Sequence, residues 1–84
     1  MPIICEFLGM KIYMYYQDHS PPHIHVRGAY NAAVDFSGNV IAGYLPPNVA
    51  SRLTVWVQMH TVELQENWKR AQAGETLFRI PPLS

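Results

Sequence analysis

Four side chains that bind protons and metals crowd into one stretch of this chain, Asp18-His19-Ser20-Pro21-Pro22-His23-Ile24-His25. His23 and His25 are two apart, so on a strand both imidazoles point to the same side. Such a pair can share one ion, because zinc takes neutral imidazole nitrogen at about 2.0–2.1 Å. Pro21-Pro22 stiffens the loop before them and would present His19 or Asp18 as a further ligand. The chemistry is that of a site for zinc or another divalent transition metal, built from His19, His23, His25 and Asp18. The competing reading makes His19 and Asp18 the decoration of a proline-rich turn, with Asp18 closing a local side-chain turn bond.

A second group shares His25. With Arg27, Asp35 and Tyr15 it makes a set suited to metal-independent RNA cleavage. His25 would act as general acid or base near neutral pH. Asp35 would orient its ring, Arg27 would stabilise a phosphate, and Tyr13 and Tyr15 would stack on bases. The competing readings are the solvated side of an antiparallel sheet and a dimer interface, where Tyr and Arg are enriched.

These residues need a sheet to hold them. The first 45 residues alternate with period two, and the later ones have a helical period. Strands are expected at roughly 3–8, 11–17, 23–28, 32–37 and 40–45, broken by Gly9, the 18–22 loop, the 28–31 turn and the hairpin signal Gly38-Asn39. Pairing apolar with apolar sets Phe7 opposite Ile12, Cys5 opposite Met14, Ile3 opposite Tyr16, Tyr16 opposite Ile24, Val26 opposite Val34, and Phe36 opposite both Ile24 and Ile41. A one-residue slip would mix the faces. The result is a five-stranded antiparallel meander. One face, with Ile3, Cys5, Phe7, Ile12, Met14, Tyr16, Ile24, Val26, Val34, Phe36, Ile41 and Leu45, is expected to be covered. The other carries Ile4, Glu6, Leu8, Lys11, Tyr13, Tyr15, His23, His25, Arg27, Asp35, Val40, Ala42 and Tyr44, with both Tyr15 and Asp35 opposite His25.

Pro46-Pro47 ends the sheet and opens a helix. Val49, Leu53, Trp56, His60, Leu64 and Trp68 follow at steps of three or four as one apolar stripe. An unbroken helix over 47–73 would be about 40 Å long, whereas a domain of this size is roughly 30 Å across. A break is therefore expected near His60-Thr61, with Thr61 as the second N-cap. Gly74 follows as the C′ residue. An extended tail over 75–84 would dock Leu77, Phe78 and Ile80 on the body or on a neighbouring chain. The expected whole is a single α+β domain over 1–84, with the sheet in 1–45 and C-terminal helices on one face.

Composition narrows the function classes. The 84 residues are 49% hydrophobic and only 14% charged, with net charge zero, against about 25% charged in an average soluble domain. So little surface charge protects poorly against association, which points to a homodimer or a protein partner. Zero net charge argues against a general nucleic-acid binder. The single cysteine, Cys5, excludes a disulfide scaffold. The opening segment lacks a basic n-region and is interrupted by Glu6, Gly9 and Lys11, so neither a signal peptide nor a membrane span is expected. A reduced, cytoplasmic setting follows.

Several segments together resemble the domain of unknown function 4160 family of short bacterial proteins. They are the opening Met-Pro-Ile-Ile with Gly9 through Tyr16, the run Asp18 through His25, Trp56 through His60, and Glu63 through Trp68. The resemblance covers nearly the whole chain and places Asp18, His19, His23, His25 and His60 in the shared motif. Family members often carry an acidic residue soon after the second strand histidine. This chain has Arg27-Gly28-Ala29 there, which argues against a carboxylate ligand at that point. The resemblance supplies no activity. It implies a small cytoplasmic protein working with a small neighbour-encoded partner, in a pair of toxin–antitoxin-like type.

The leading expectation is accordingly a protein-interaction component of a two-gene toxin–antitoxin-like or regulatory module, meeting its partner through the sheet face or the tail. The alternative is a metal-binding or RNA-cleaving site on the histidine cluster.

Overall fold

Two-residue and longer turns join neighbouring strands along the first half of the chain, and each strand pairs with the next. The computed structural model describes residues 2–83. Its elements are β1 (Ile3–Phe7), β2 (Met10–Tyr13), β3 (His23–Gly28), β4 (Asn31–Asp35), β5 (Val40–Tyr44), α1 (Pro47–Met59) and α2 (Thr61–Gln72). The five strands form one antiparallel sheet in chain order, the meander expected from the alternation. Met1 and Ser84, the ends of the expected sheet and tail segments, lie outside the described residues.

The register differs from expectation by two residues. Leu8 and Gly9 both have positive φ, 53° and 74°, which makes Leu8-Gly9 the two-residue turn of the first hairpin. Phe7 therefore pairs with Met10 and Cys5 with Ile12, in place of Phe7 with Ile12 and Cys5 with Met14. Leucine is an unusual occupant of the left-handed region, so the sequence pointed to Gly9-Met10. Equivalent offsets pair Val26 with Ile12 and with Ala32, and Ile24 with Val34. An even offset leaves every residue on its own side of the sheet, which is why the division into faces largely survives.

Two irregularities do move residues between faces. A shift between Ile3 and Cys5 turns Ile4 inward beside Cys5, so Ile4 is buried and not on the open face. A second shift, between Ala33 and Val34 on β4, leaves Ile41 without a direct partner on that strand and exposed, not covered. Tyr16, expected opposite Ile24, is also exposed, because β2 ends at Tyr13 and the chain leaves the sheet.

The helices cover one face. Val49, Leu53, Trp56 and Val57 of α1 and Leu64 and Ala71 of α2 pack with Ile12, Met14, Ile24, Val26 and Val34 in the core. The helix breaks at His60, as the 34 × 25 × 21 Å extent of the molecule requires. Thr61 is not the N-cap, however. It is the first residue of α2, with His60 in the cap position, and its hydroxyl donates back to the Val57 carbonyl at 3.0 Å. At the far end, the Glu75 amide donates to the Arg70 carbonyl at 2.8 Å and the Gly74 amide to that of Ala71, closing the helix as expected for a C′ glycine.

The tail docks on its own chain. The Ile80 amide donates to the Ile4 carbonyl at 2.8 Å, and Trp56 Nε1 donates to the Pro81 carbonyl at 2.8 Å. The Asn67 amide side chain, fully buried, both donates to and accepts from the Phe78 backbone, at 2.8 and 3.1 Å. No helix of the described residues is long and apolar enough to cross a membrane.

Candidate metal centre

The loop between β2 and β3 folds back so that Asp18 meets the start of β3. Hydrogen bonds to α2 hold it there: the Gln17 amide donates to the Ala71 carbonyl at 3.2 Å, and the Gln72 side-chain Nε2 to the Asp18 carbonyl at 3.1 Å. The Asp18 carboxylate then becomes a hub. Its Oδ2 accepts a hydrogen bond from His25 Nε2 at 2.9 Å and stands 3.0 Å from His23 Nε2. Its Oδ1 accepts from the His19 backbone amide at 2.9 Å and lies 3.0 Å from His19 Nδ1.

Strand geometry places the two imidazoles as the His-x-His spacing predicts, both on one side of β3. Their environments differ. His25 is 16% exposed, and its ring stacks on Tyr15 with centroids 4.1 Å apart. His23 is 3% exposed, lying 5.6 Å from the Trp68 ring of α2. His23 was expected on the open face with His25. The wrap of Trp68 around the end of the sheet buries it instead.

His23 has an unusual balance of partners. Its Nδ1 stands 2.6 Å from the Pro21 carbonyl, and its Nε2 faces the Asp18 carboxylate. Both partners are acceptors, and a neutral imidazole has only one N–H. The ring is satisfied with a proton on each nitrogen, or with Nδ1–H donating and Nε2 giving its lone pair to a cation. The second arrangement is the usual one for a metal-ligating histidine, whose other N–H is held by a backbone carbonyl.

Burial works to raise the Asp18 carboxyl. The hydrogen bonds from His25 and the His19 amide, with the charges of His23 and His25, outweigh it and hold the group below the ordinary carboxylate range. Asp18 is thus an anion facing two imidazole nitrogens. The three ligand atoms lie within 4.8 Å of one another. For metal–ligand bonds of about 2.1 Å, adjacent ligand atoms sit about 3.0 Å apart in octahedral and about 3.4 Å in tetrahedral geometry. The two edges at Asp18, 2.9 and 3.0 Å, match the octahedral spacing and would open by about 0.4–0.5 Å for a tetrahedral ion.

His19 stands outside this group, 84% exposed and against the other carboxylate oxygen. The cleavage set is divided. Tyr15 stays against His25 through ring stacking, although the residue across from His25 on β2 is Tyr13. Asp35 is not opposite His25. It pairs with His23, and its Oδ1 accepts the Ser37 and Asn39 amides, both at 2.9 Å, in the β4–β5 turn. The carboxylate that orients His25 is Asp18. Arg27 donates from one guanidinium nitrogen to the Val26 carbonyl at 2.9 Å. His60 Nδ1 donates to the Glu63 carboxylate at 2.8 Å. Cys5 is buried in the core, where desolvation pushes its thiol up. Trp68 and the Pro21 carbonyl are the site groups that sequence reasoning missed. The aromatic spacing read as core, and a carbonyl leaves no trace in residue type.

The fold and site define a small α+β domain whose meander sheet carries an Asp–His–His cluster at one end, closed by a helix. Residues 9–69 match the model of the family described as Domain of unknown function (DUF4160), and the chain belongs to that family. The match spans the whole loop-and-strand segment bearing Asp18, His19, His23 and His25, and both helices as far as Lys69. No curated protein and no solved structure matches the chain significantly.

Proposed function

We propose that this domain binds one divalent transition-metal ion, zinc being the reference case, through Asp18 Oδ2, His23 Nε2 and His25 Nε2. The observation that carries the reading is the convergence of those three atoms with His23 Nδ1 already held by the Pro21 carbonyl. Two imidazoles and one carboxylate are a donor set for borderline divalent ions and leave coordination positions open for water or a ligand. His19 is close enough to Asp18 to close over the ion as a fourth group. The test is zinc titration of untagged, chelator-treated protein by calorimetry. One ion per chain, with binding lost in Asp18→Asn and His25→Ala, is the expected result. A chain that takes up no zinc, or variants that bind it as tightly as the parent, overturn the reading.

A second reading has its own observation. β5 is exposed along its whole length and carries no charge in Val40-Ile41-Ala42-Gly43-Tyr44. An open edge of that kind is a template for a strand from another protein. The exposed Val55, Met59 and Val62 add apolar surface on the helices. This supports a protein-interaction component of a two-gene toxin–antitoxin-like or regulatory module, with the neighbour-encoded protein pairing along β5. The tail is engaged with its own chain, which favours β5 as the contact. Copurification with the adjacent gene product, lost when Ile41→Lys and Tyr44→Lys charge the edge, is expected. A soluble monomer that ignores that product overturns it, and self-association in its absence assigns the edge to a second copy.

A further inference from the structure

The open face of the sheet has a hollow, and its shape follows from side-chain size along one row. Tyr13, His25, Ala33 and Ala42 are successive cross-strand partners on β2 to β5. Two rings are followed by two methyl groups, so the surface drops where β4 and β5 begin. Gly43 deepens the step, because its backbone lies against the Asn31 carbonyl with no space for a side chain. The resulting concavity is about 300 Å³, at the small end of ligand sites.

Its polar rim offers the N–H groups of Arg27 and Asn31, beside a His25 ring whose Nε2 is engaged by Asp18. His25, Arg27 and Asn31 line it together with the alanines. One Arg27 nitrogen donates to the Val26 carbonyl. Among the described residues its remaining N–H groups have no protein acceptor, and no carboxylate lies within 4 Å of Arg27 or Lys11. Lys11 sits directly across from Arg27 on β2. Two cations in that position repel each other unless something neutralises them. Glu6, the cross-strand partner of Lys11, directs its carboxylate to Arg79 at 3.9 Å. The Asn31 amide brings N–H donors from β4, and Tyr44, its partner on β5, is 68% exposed at the margin.

We infer that this hollow binds a small tetrahedral oxyanion, free phosphate or a phosphate monoester, held by the Arg27 guanidinium fork and the Asn31 amide. A planar guanidinium with free N–H groups matches such an anion by paired hydrogen bonds. The small floor of Ala33 and Ala42 gives it room, and Lys11 adds positive potential. The exposed Tyr44 ring would take the organic part of an ester. The site goes beyond the metal reading and does not depend on it: His25 borders both, but the groups that hold the anion, Arg27 and Asn31, lie outside the Asp18 cluster.

The test uses chelator-treated full-length protein titrated with inorganic phosphate and, separately, with phenyl phosphate. The readout is the side-chain N–H resonances of Arg27 and Asn31. Saturable shifts of both are expected, with affinity at least tenfold weaker in Arg27→Ala. Ala33→Leu fills the hollow while leaving every charge in place, and it should abolish binding in a chain that still folds. Tighter binding of phenyl phosphate assigns the site to monoesters, and tighter binding of inorganic phosphate assigns it to the free anion. Absence of saturation by either probe overturns the inference, as does equal affinity in the parent, Arg27→Ala and Ala33→Leu. Zinc uptake is measured separately, so failure of one site is not failure of the other.

Discussion

The Nδ1 atom of His23 lies 2.6 Å from the carbonyl of Pro21, two residues earlier. That contact leaves Nε2 as the one nitrogen through which this buried ring can act, and it aims Nε2 at Asp18. The stiff Pro21-Pro22 pair is what sets a carbonyl at that position.

Metal loading should therefore raise stability. At free zinc of about 100 times Kd, a ligand that binds only the folded state adds about 2.7 kcal/mol. For a domain of this size that is a rise of about 10–20 °C in Tm. Thermal unfolding with and without zinc, in the parent and in His25→Ala, measures the rise. A rise as large in His25→Ala as in the parent would mean that His25 Nε2 is not a ligand.

Asp18→Asn keeps the shape of the hub and removes its charge. In metal-free protein it should cost about 1–3 kcal/mol, since His23 Nε2 is left buried against a neutral amide. Urea unfolding measures the loss. A change within about 0.5 kcal/mol would show that the hub is not a source of stability.

Acid should weaken the fold through two carboxylates. Glu63 is held below the ordinary range by its hydrogen bond from His60, and Asp18 is lowered as described. A depressed carboxyl stabilises the fold fully above its unfolded value, about 4. That contribution is lost as pH falls through the lower, folded value. Stability of metal-free protein should thus decline in the acid limb below about pH 4. The Glu63 part is small, under about 1 kcal/mol, because the pair is partly exposed. Glu63→Gln should flatten that part of the curve, measured as the urea midpoint between pH 7 and pH 3. An unchanged slope would place the acid sensitivity elsewhere.

Asn67→Ala should release the tail. It removes both partners of the Phe78 backbone, at about 1–3 kcal/mol for each group left buried and unpaired. Amide exchange at 78–80 should rise well before exchange in β3. Protection unchanged at Phe78 and Ile80 would mean that Trp56 and β1 hold the tail unaided.

Gly43→Ala should disrupt the β4–β5 pair. Gly43 has φ of +75°, and an added Cβ would collide with the Asn31 carbonyl and the Ala32 backbone. Strain of about 1–3 kcal/mol is expected from the backbone conformation alone, with a lower Tm and faster exchange in β4. Parent-like stability would show that the two strands can part there without cost.

Much of this molecule is legible in residue order, because order alone sets periodicity. Alternation of apolar residues through position 45 determined five strands and which side of the sheet most residues occupy. The steps of three and four from Val49 to Trp68 determined the helical half, and its length against the domain's diameter determined the break at His60. The His-x-His spacing put His23 and His25 on one side of β3 before any contact was known. The tertiary structure decided what depends on more than one element. Leu8 in the left-handed region shifted the register of the first hairpin by two residues. Irregular pairing turned Ile4 inward and Ile41 outward. Trp68 closed over His23, Asn67 found the Phe78 backbone, and Asp18, not Asp35, became the partner of His25. Local spacing fixes direction along one strand or helix, whereas a site is a distance between segments. Here that distance was set by how the 14–22 loop packs against α2.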